Sequence, residues 1–436
     1  EGQVSIRLTI PAMGLARVPA GTVEAEMEGR QVTLGPFVLT HDGEAETLAG
    51  TMPHGMVPVY EIPVVLRRVE AVEAPTRPEP TAPLAEPVWT FDAGAPLWPG
   101  ATFAGGVVYA GEDEGRLHAL DAQTGAQRWS FAASGPIRTR ATLAGGAVFF
   151  QADDGILYRL DAANGKEVWQ VRVVETPIER LPPTDPKSRY DSFGSDVTVS
   201  EGRLFLGTHE GRLVAVDPAD GKTLWELSTD GSILAAPAVS SGRVYFGSFD
   251  GHVHALDAAT GRSLWKTDTR GAVLSTPAPA GDLLIVGNRA YDLLGLRAET
   301  GELAWKRYIW FSWVESSATV EEGVAYIGSS DAAAAFAFDA STGGRLWEAD
   351  VRGWAWGQPA VTADRVFVQT AGLRGYSGDA RRGGVVALER ETGQAVWRYA
   401  LEPPEEGAWG FPGSPAVGAG HVFVTGIDGR VLAFEQ

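Results

Sequence analysis

An all-β fold, an eight-bladed β-propeller preceded by a small N-terminal β-sandwich of Ig-like type, is predicted by three features of the 436-residue sequence. A strand-turn-strand phrase closing on tryptophan recurs along the chain. These tryptophans stand at intervals close to forty residues, and the first seventy or so residues lack the phrase while still reading as strands.

The phrase is clearest in HVHALDAATGRSLW, residues 252–265. It ends in turn at Trp129, Trp169, Trp225, Trp265, Trp305, Trp347 and Trp397, and Trp89 has the last strand without the preceding turn. Four of the seven intervals are 40 residues and a fifth is 42, the period of a four-stranded propeller blade. Each repeat reads as four short strands, such as LAAPAV, RVYFGS, HVHALD and RSLWKT, separated by Gly, Asp and Ser turns. The C-terminal RVLAFEQ has the third strand but no tryptophan, so residues 87–91 pair with residues 430–436 and close eight blades over residues 87–436.

Glycine stands four residues before every one of the seven later tryptophans, at 125, 165, 221, 261, 301, 343 and 393, where a tight hairpin needs positive φ. An acidic residue opens each of these turns and caps it through backbone N–H groups, except at Arg297, whose turn is expected to be less tightly capped. Wedged between blades, each tryptophan would remove about 150 to 250 Å² from water, worth about 4 to 6 kcal/mol before entropy. Its indole N–H then needs a partner, expected to be a carbonyl of the next blade.

Repeats of the form A-x-D-x-x-T-G-x-x-x-W resemble the tryptophan-docking repeats of the pyrroloquinoline-quinone-type propellers. That superfamily holds quinoprotein alcohol dehydrogenases as well as the non-catalytic BamB-type outer-membrane assembly lipoproteins. The resemblance covers about 350 residues; it implies the fold, while function has to come from the site.

Residues 1–72 carry four strand-like runs, VSIRLTIP, TVEAEME, QVTLGPFVLT and VPVYEIPVVLRRV, which suggest a small Ig-like or transthyretin-like sandwich. Residues 73–86 are rich in Pro, Ala and Glu and read as an extended linker. A net charge of −19 argues against nucleic-acid binding, and the absence of Cys excludes disulfides and thiolate metal sites. No apolar run is long enough for a transmembrane helix. The chain begins at Glu1 with no signal segment, so prior removal of one and an extracytoplasmic location (periplasmic, cell-surface or secreted) are expectations.

In an up-and-down blade, the segments entering the first strand and the loops joining the second to the third share one face. Both long insertions, residues 174–194 and 370–384, fall there. Six tryptophans outside the docking set, Trp98, Trp310, Trp313, Trp354, Trp356 and Trp409, also enter blades on this face, and with Phe411 they are expected to form an aromatic binding arc. Individually, such rings also suit packing or plugging of the axis. Arg138 and Arg140, then Arg180, Lys187, Arg189, Arg374, Arg381 and Arg382, favour the same face and suggest capture of a carboxylate-bearing partner.

The resemblance implies that an enzyme of this type would hold pyrroloquinoline quinone and Ca²⁺, for which Asp191, Asp196 and Glu315 offer oxygens on the correct face. The vicinal Cys pair common in those enzymes is missing. No catalytic residue and no metal ligand is therefore assigned, and His252 and His254 read as strand and core histidines, not half of a metal site. The expectation is a monomeric, non-catalytic scaffold of the cell envelope with no resident cofactor, binding a protein partner or a glycan at the tryptophan-rich face.

Overall fold

The structure, a computed structural model, describes residues 82–181, 194–309, 312–373, 383–405 and 407–436, and the strand backbone within residues 5–51. The chain divides into two compact units, Glu1–Thr81 and Ala82–Gln436.

In the first unit Ser5–Thr9, Gly21–Met27, Arg30–Thr40 and Ala49–Thr51 form one antiparallel sheet in sequential order. Three of the four predicted runs coincide with these strands. The fourth, over 57–69, and any second layer of a sandwich lie outside the described residues.

The second unit is an eight-bladed all-β propeller. Blade four is typical: Ala238–Ser240, Arg243–Gly247, His252–Asp257 and Ser263–Asp268 pair in order as an antiparallel meander. A register shift between Ala255 and Leu256 marks a bulge opposite the strand that carries Trp265. The same bulge recurs in all seven blades that have a complete turn. Strand interiors such as Val244, Phe246, Val253 and Leu256 are fully buried, so the core lies between neighbouring sheets.

In blade eight Trp89–Asp92 pairs antiparallel with Arg430–Glu435, with Trp89 opposite Ala433. The preceding residues, read from sequence as linker, also engage the propeller. Ala85 N–H donates to the Arg398 carbonyl (2.8 Å) and Arg398 N–H to that of Pro83 (3.0 Å), a parallel bridge on the outer strand of blade seven.

Seven docking indoles donate to a carbonyl in the next blade's turn. Trp89 reaches Ala122, Trp129 Ala162, Trp169 Pro218, Trp225 Ala258, Trp265 Ala298, Trp305 Ala340 and Trp347 Arg390, at 2.9 to 3.2 Å. Trp397 faces blade eight, which lacks this turn, and packs on Phe367 and Phe434 with centroids 5.9 and 5.5 Å away. The turn glycine has a second task beyond positive φ. A Cβ on Gly261 would sit 2.6 Å from the Trp225 ring, so each indole lies flat on the next blade's glycine. Burial is less complete than full wedging implies: Trp89, Trp305 and Trp347 are buried, whereas Trp129, Trp169, Trp225, Trp265 and Trp397 keep an edge in water.

The Asp121 carboxylate accepts from the N–H groups of Gln123 and Thr124, as the cap reading requires. At Arg297 the side chain turns instead to Asp282 at 2.8 Å. That turn is held by backbone bonds, from Gly301 N–H to the Arg297 carbonyl and from Arg297 N–H to the Glu302 carbonyl, both at 2.8 Å.

Candidate functional site

Every blade begins with the same short segment, and the repeat brings all of these segments to the axis. An apolar residue is driven inward first: Leu97, Ile137, Ile233, Val273, Val314, Ala355 and Phe411 are all completely buried. Six of these donate their N–H to the second-to-third-strand loop of the preceding blade, as Ile137 does to Glu112 and Val314 to Asn288, both at 3.1 Å, and Phe411 donates to Thr370 in the second strand. Where the preceding second strand ends in glycine, as at Gly111, a Cβ would fall 2.8 Å from Cβ of Ile137.

Fixing that residue fixes the three after it. One position on stand Trp98, Arg138, Gly194, Leu234, Leu274, Glu315 and Trp356; three on stand Gly100, Arg140, Asp196, Ala236, Thr276, Ser317, Gln358 and Ser414. These residues, from all eight blades, line one axial channel with room for water-sized groups over about 80 Å³. Backbones crowd it at blades seven, eight and one. A Cβ on Gly357 would lie 2.6 Å from the Gly413 carbonyl carbon, one on Gly413 2.6 Å from that of Pro99, and one on Gly100 2.8 Å from that of Ser414.

The charges around this channel are already matched. Arg138 holds Asp113 through two bonds of 2.5 and 2.8 Å, and its guanidinium lies 4.5 Å from the Trp98 ring centroid. Arg140 binds Asp196 through its side chain (2.7 Å) and its backbone N–H (2.6 Å). Arg180 binds Asp153 at 2.7 and 2.8 Å, with both side chains buried. Arg289 holds Glu315 at 2.6 Å and stacks over Trp313 at 4.6 Å. Burial pushes the Glu315 and Asp113 carboxyls up, and their arginines oppose the shift.

The expected aromatic arc is therefore located but not exposed. Trp98, Trp354, Trp356, Trp409 and Phe411 are all buried, Trp313 is half-buried, and Trp310 lies outside the described residues. Trp354 and Trp356 stack at 5.0 Å in a satellite core with Leu373, built on a nine-residue second strand, Arg365–Leu373, to which Ala408–Gly410 adds. Of the described members of this set, Trp98 and Trp356 reach the channel. Capture of a partner carboxylate by Arg138, Arg140 or Arg180 is likewise at odds with the geometry, since each faces an aspartate of its own chain. Lys187, Arg189, Arg374, Arg381 and Arg382 lie outside the described residues. The sequence reading missed Thr276, Ser317, Gln358 and Ser414, which become visible once the eight entering segments are aligned on their buried apolar residue.

His254 stacks on Phe246 at 4.7 Å, with an interplanar angle of 7°, and burial lowers its pKa to about 4 against the pull of Asp250. Among the described residues no group of three or more His, Cys, Asp or Glu is arranged to hold a metal ion.

The repeat architecture and its sequence are decisive together: the family described as outer membrane protein assembly factor BamB matches residues 82–185, 182–312 and 307–435. The chain belongs to that family. Among solved structures, BamB from Moraxella catarrhalis superposes with a TM-score of 0.61 at 20% identity, covering 81% of this chain and 98% of that one. The quinohemoprotein alcohol dehydrogenase from Comamonas testosteroni gives 0.60 at 14%, covering 80% and 76%. A europium-containing methanol dehydrogenase gives 0.62 at 14%, covering 80% and 93%. At these identities the likenesses establish the fold. No curated protein matches the chain.

The dehydrogenase neighbours make a quinone and its metal worth testing against the residues present. Ligand pockets span about 300 to 1,000 Å³, and the channel, at about 80 Å³, is well below that range. Of the three candidate oxygen donors, Asp196 and Glu315 are held by Arg140 and Arg289, and Asp191 lies outside the described residues. The described residues do not fit the pair.

Proposed function

We propose that this BamB-family propeller is a non-catalytic scaffold of the cell envelope, working outside the cytoplasm, whose loop face binds a protein partner. One observation carries the reading. The axial channel is lined by all eight blades, narrowed by backbone and flanked by internal ion pairs, which suits a rigid platform better than a cofactor pocket. The family description and the Moraxella likeness support the same conclusion. The carbohydrate alternative has less support, because stacking on sugar needs open indole faces and Trp98, Trp354, Trp356 and Trp409 are buried. Among the described residues no helix is long and apolar enough to cross a membrane, and a monomer is the expected state.

Replacing Ser317 and Gln358 together with arginine places bulk and charge at the channel. The expected result is loss of the partner from a pull-down in the native host by a protein that circular dichroism shows to be folded. Retention of the partner would overturn the loop-face assignment. Titration with pyrroloquinoline quinone and Ca²⁺ should give no saturable change in tryptophan fluorescence.

A further inference from the structure

The outer edge of blade seven is already covered by a short segment, Pro83 to Ala85, bridged in parallel to Arg398, and that edge shows what the other edges lack. Arg398, the residue after Trp397, directs both its N–H and its carbonyl outward, to Pro83 and Ala85. Under this cover Val396 and Arg398 are half-buried. The blades repeat one register, so the residue after each docking tryptophan points its backbone pair outward in the same way. On the other blades these are the exposed groups of an edge strand.

Most of these edges carry a charge next to the tryptophan: Arg128 in blade one, Glu226 in three, Lys266 in four, Lys306 in five and Glu348 in six. Charge is a usual guard against strand addition. Blade eight is guarded differently, by a four-residue strand, Trp89–Asp92, that follows Pro87 closely. Blade two has neither guard. Its outer strand, Glu167–Arg172, spans six residues, with the uncharged Gln170 after Trp169 and Val168 before it. Val168 is 53% exposed, although it occupies the register of the half-buried Val396.

We propose that the outer strand of blade two is a docking edge for an extended segment of a protein partner. The segment pairs parallel to Glu167–Arg172 through the backbone of Gln170 and covers Val168 with a small or apolar side chain. This surface lies on the rim and is independent of the loop-face reading.

The probe is a labelled peptide copying residues 78–87, the sequence that contains the segment bridged to blade seven. It is titrated into the full chain and followed by anisotropy and by hydrogen exchange. Slowed exchange over 167–172 is expected, with binding weakened about tenfold or more (about 1.4 kcal/mol) by Gln170→Pro and by Val168→Glu. Proline at 170 removes the outward N–H without touching the bond to the third strand. Should that variant misfold, the exposed Val168→Glu decides alone. No slowing over 167–172 at about 1 mM peptide, a typical weak-binding concentration, would overturn the proposal, as would protection confined to another outer strand. Protection of 167–172 without peptide, together with a doubled mass, would assign the edge to a second copy of the chain and overturn the partner.

Discussion

The guanidinium of Arg138 lies 4.5 Å from the centroid of the Trp98 indole, and both side chains donate to the carboxylate of Asp113. Three consecutive parts of the ring meet there: the segment entering blade one, the loop within it and the segment entering blade two. The cation is almost fully enclosed, its side chain 2% exposed. Asp113→Asn leaves a buried charge without its counter-ion and is expected to cost about 3 to 5 kcal/mol. Chemical denaturation of the two proteins measures it. Trp98→Phe, which keeps the stacking and loses one hydrogen bond, should cost about 0.5 to 1.5 kcal/mol.

The joint between blades three and four gives a second expectation. Trp225 donates to the Ala258 carbonyl at 3.2 Å and rests on Gly261, which has φ of 72°. Trp225→Ala should destabilise by about 3 to 5 kcal/mol. Gly261→Ala adds a methyl group against the indole at a strained φ and should also destabilise. Because both changes act on one contact, their combined effect should fall short of the sum in a double-mutant cycle.

At the axis, Gly413→Ala drives a methyl group into the backbone of Pro99 and Gly100. Overpacking of this kind costs about 1 to 3 kcal/mol. The same substitution at Gly420, where no atom lies within 4 Å of the added carbon, isolates the cost of positive φ, 82° there. Comparing the two thermal unfolding midpoints separates crowding at the channel from backbone strain.

Acid provides a further expectation. Burial holds the His254 pKa near 4, below the ordinary 6.5, so the native protein resists protonating this ring. A depressed value means that the contribution is complete above about 6.5 and is lost as pH falls toward 4. His254→Phe, which keeps the stack on Phe246, should flatten stability against pH across that window. An unchanged slope would show that other groups carry it.

The propeller was legible because its signals are local and repeated. Trp225 and Gly261 lie 36 residues apart in the chain, yet each is announced by the same phrase, and the ring closure at Trp89 followed from a missing half-phrase. The site was less legible because exposure is not a local property. Trp354 and Trp356 look like a rim from their place before blade seven, but a lengthened second strand and the added Ala408–Gly410 strand cover them. Arg138 and Arg140 look free until the fold brings Asp113 and Asp196, 25 and 56 residues away, within hydrogen-bonding distance. Pro83 to Ala85 read as linker because composition gives no hint that Arg398 offers them an edge.

The most direct test of the scaffold account places a photoreactive residue at Ser317 or Gln358 on the loop face, and at Thr260 or Thr342 on the turn face, in the native host. The account predicts a covalent adduct with one discrete polypeptide from the first pair alone. An adduct from the turn face alone, or none from the loop face of a folded protein, would contradict it.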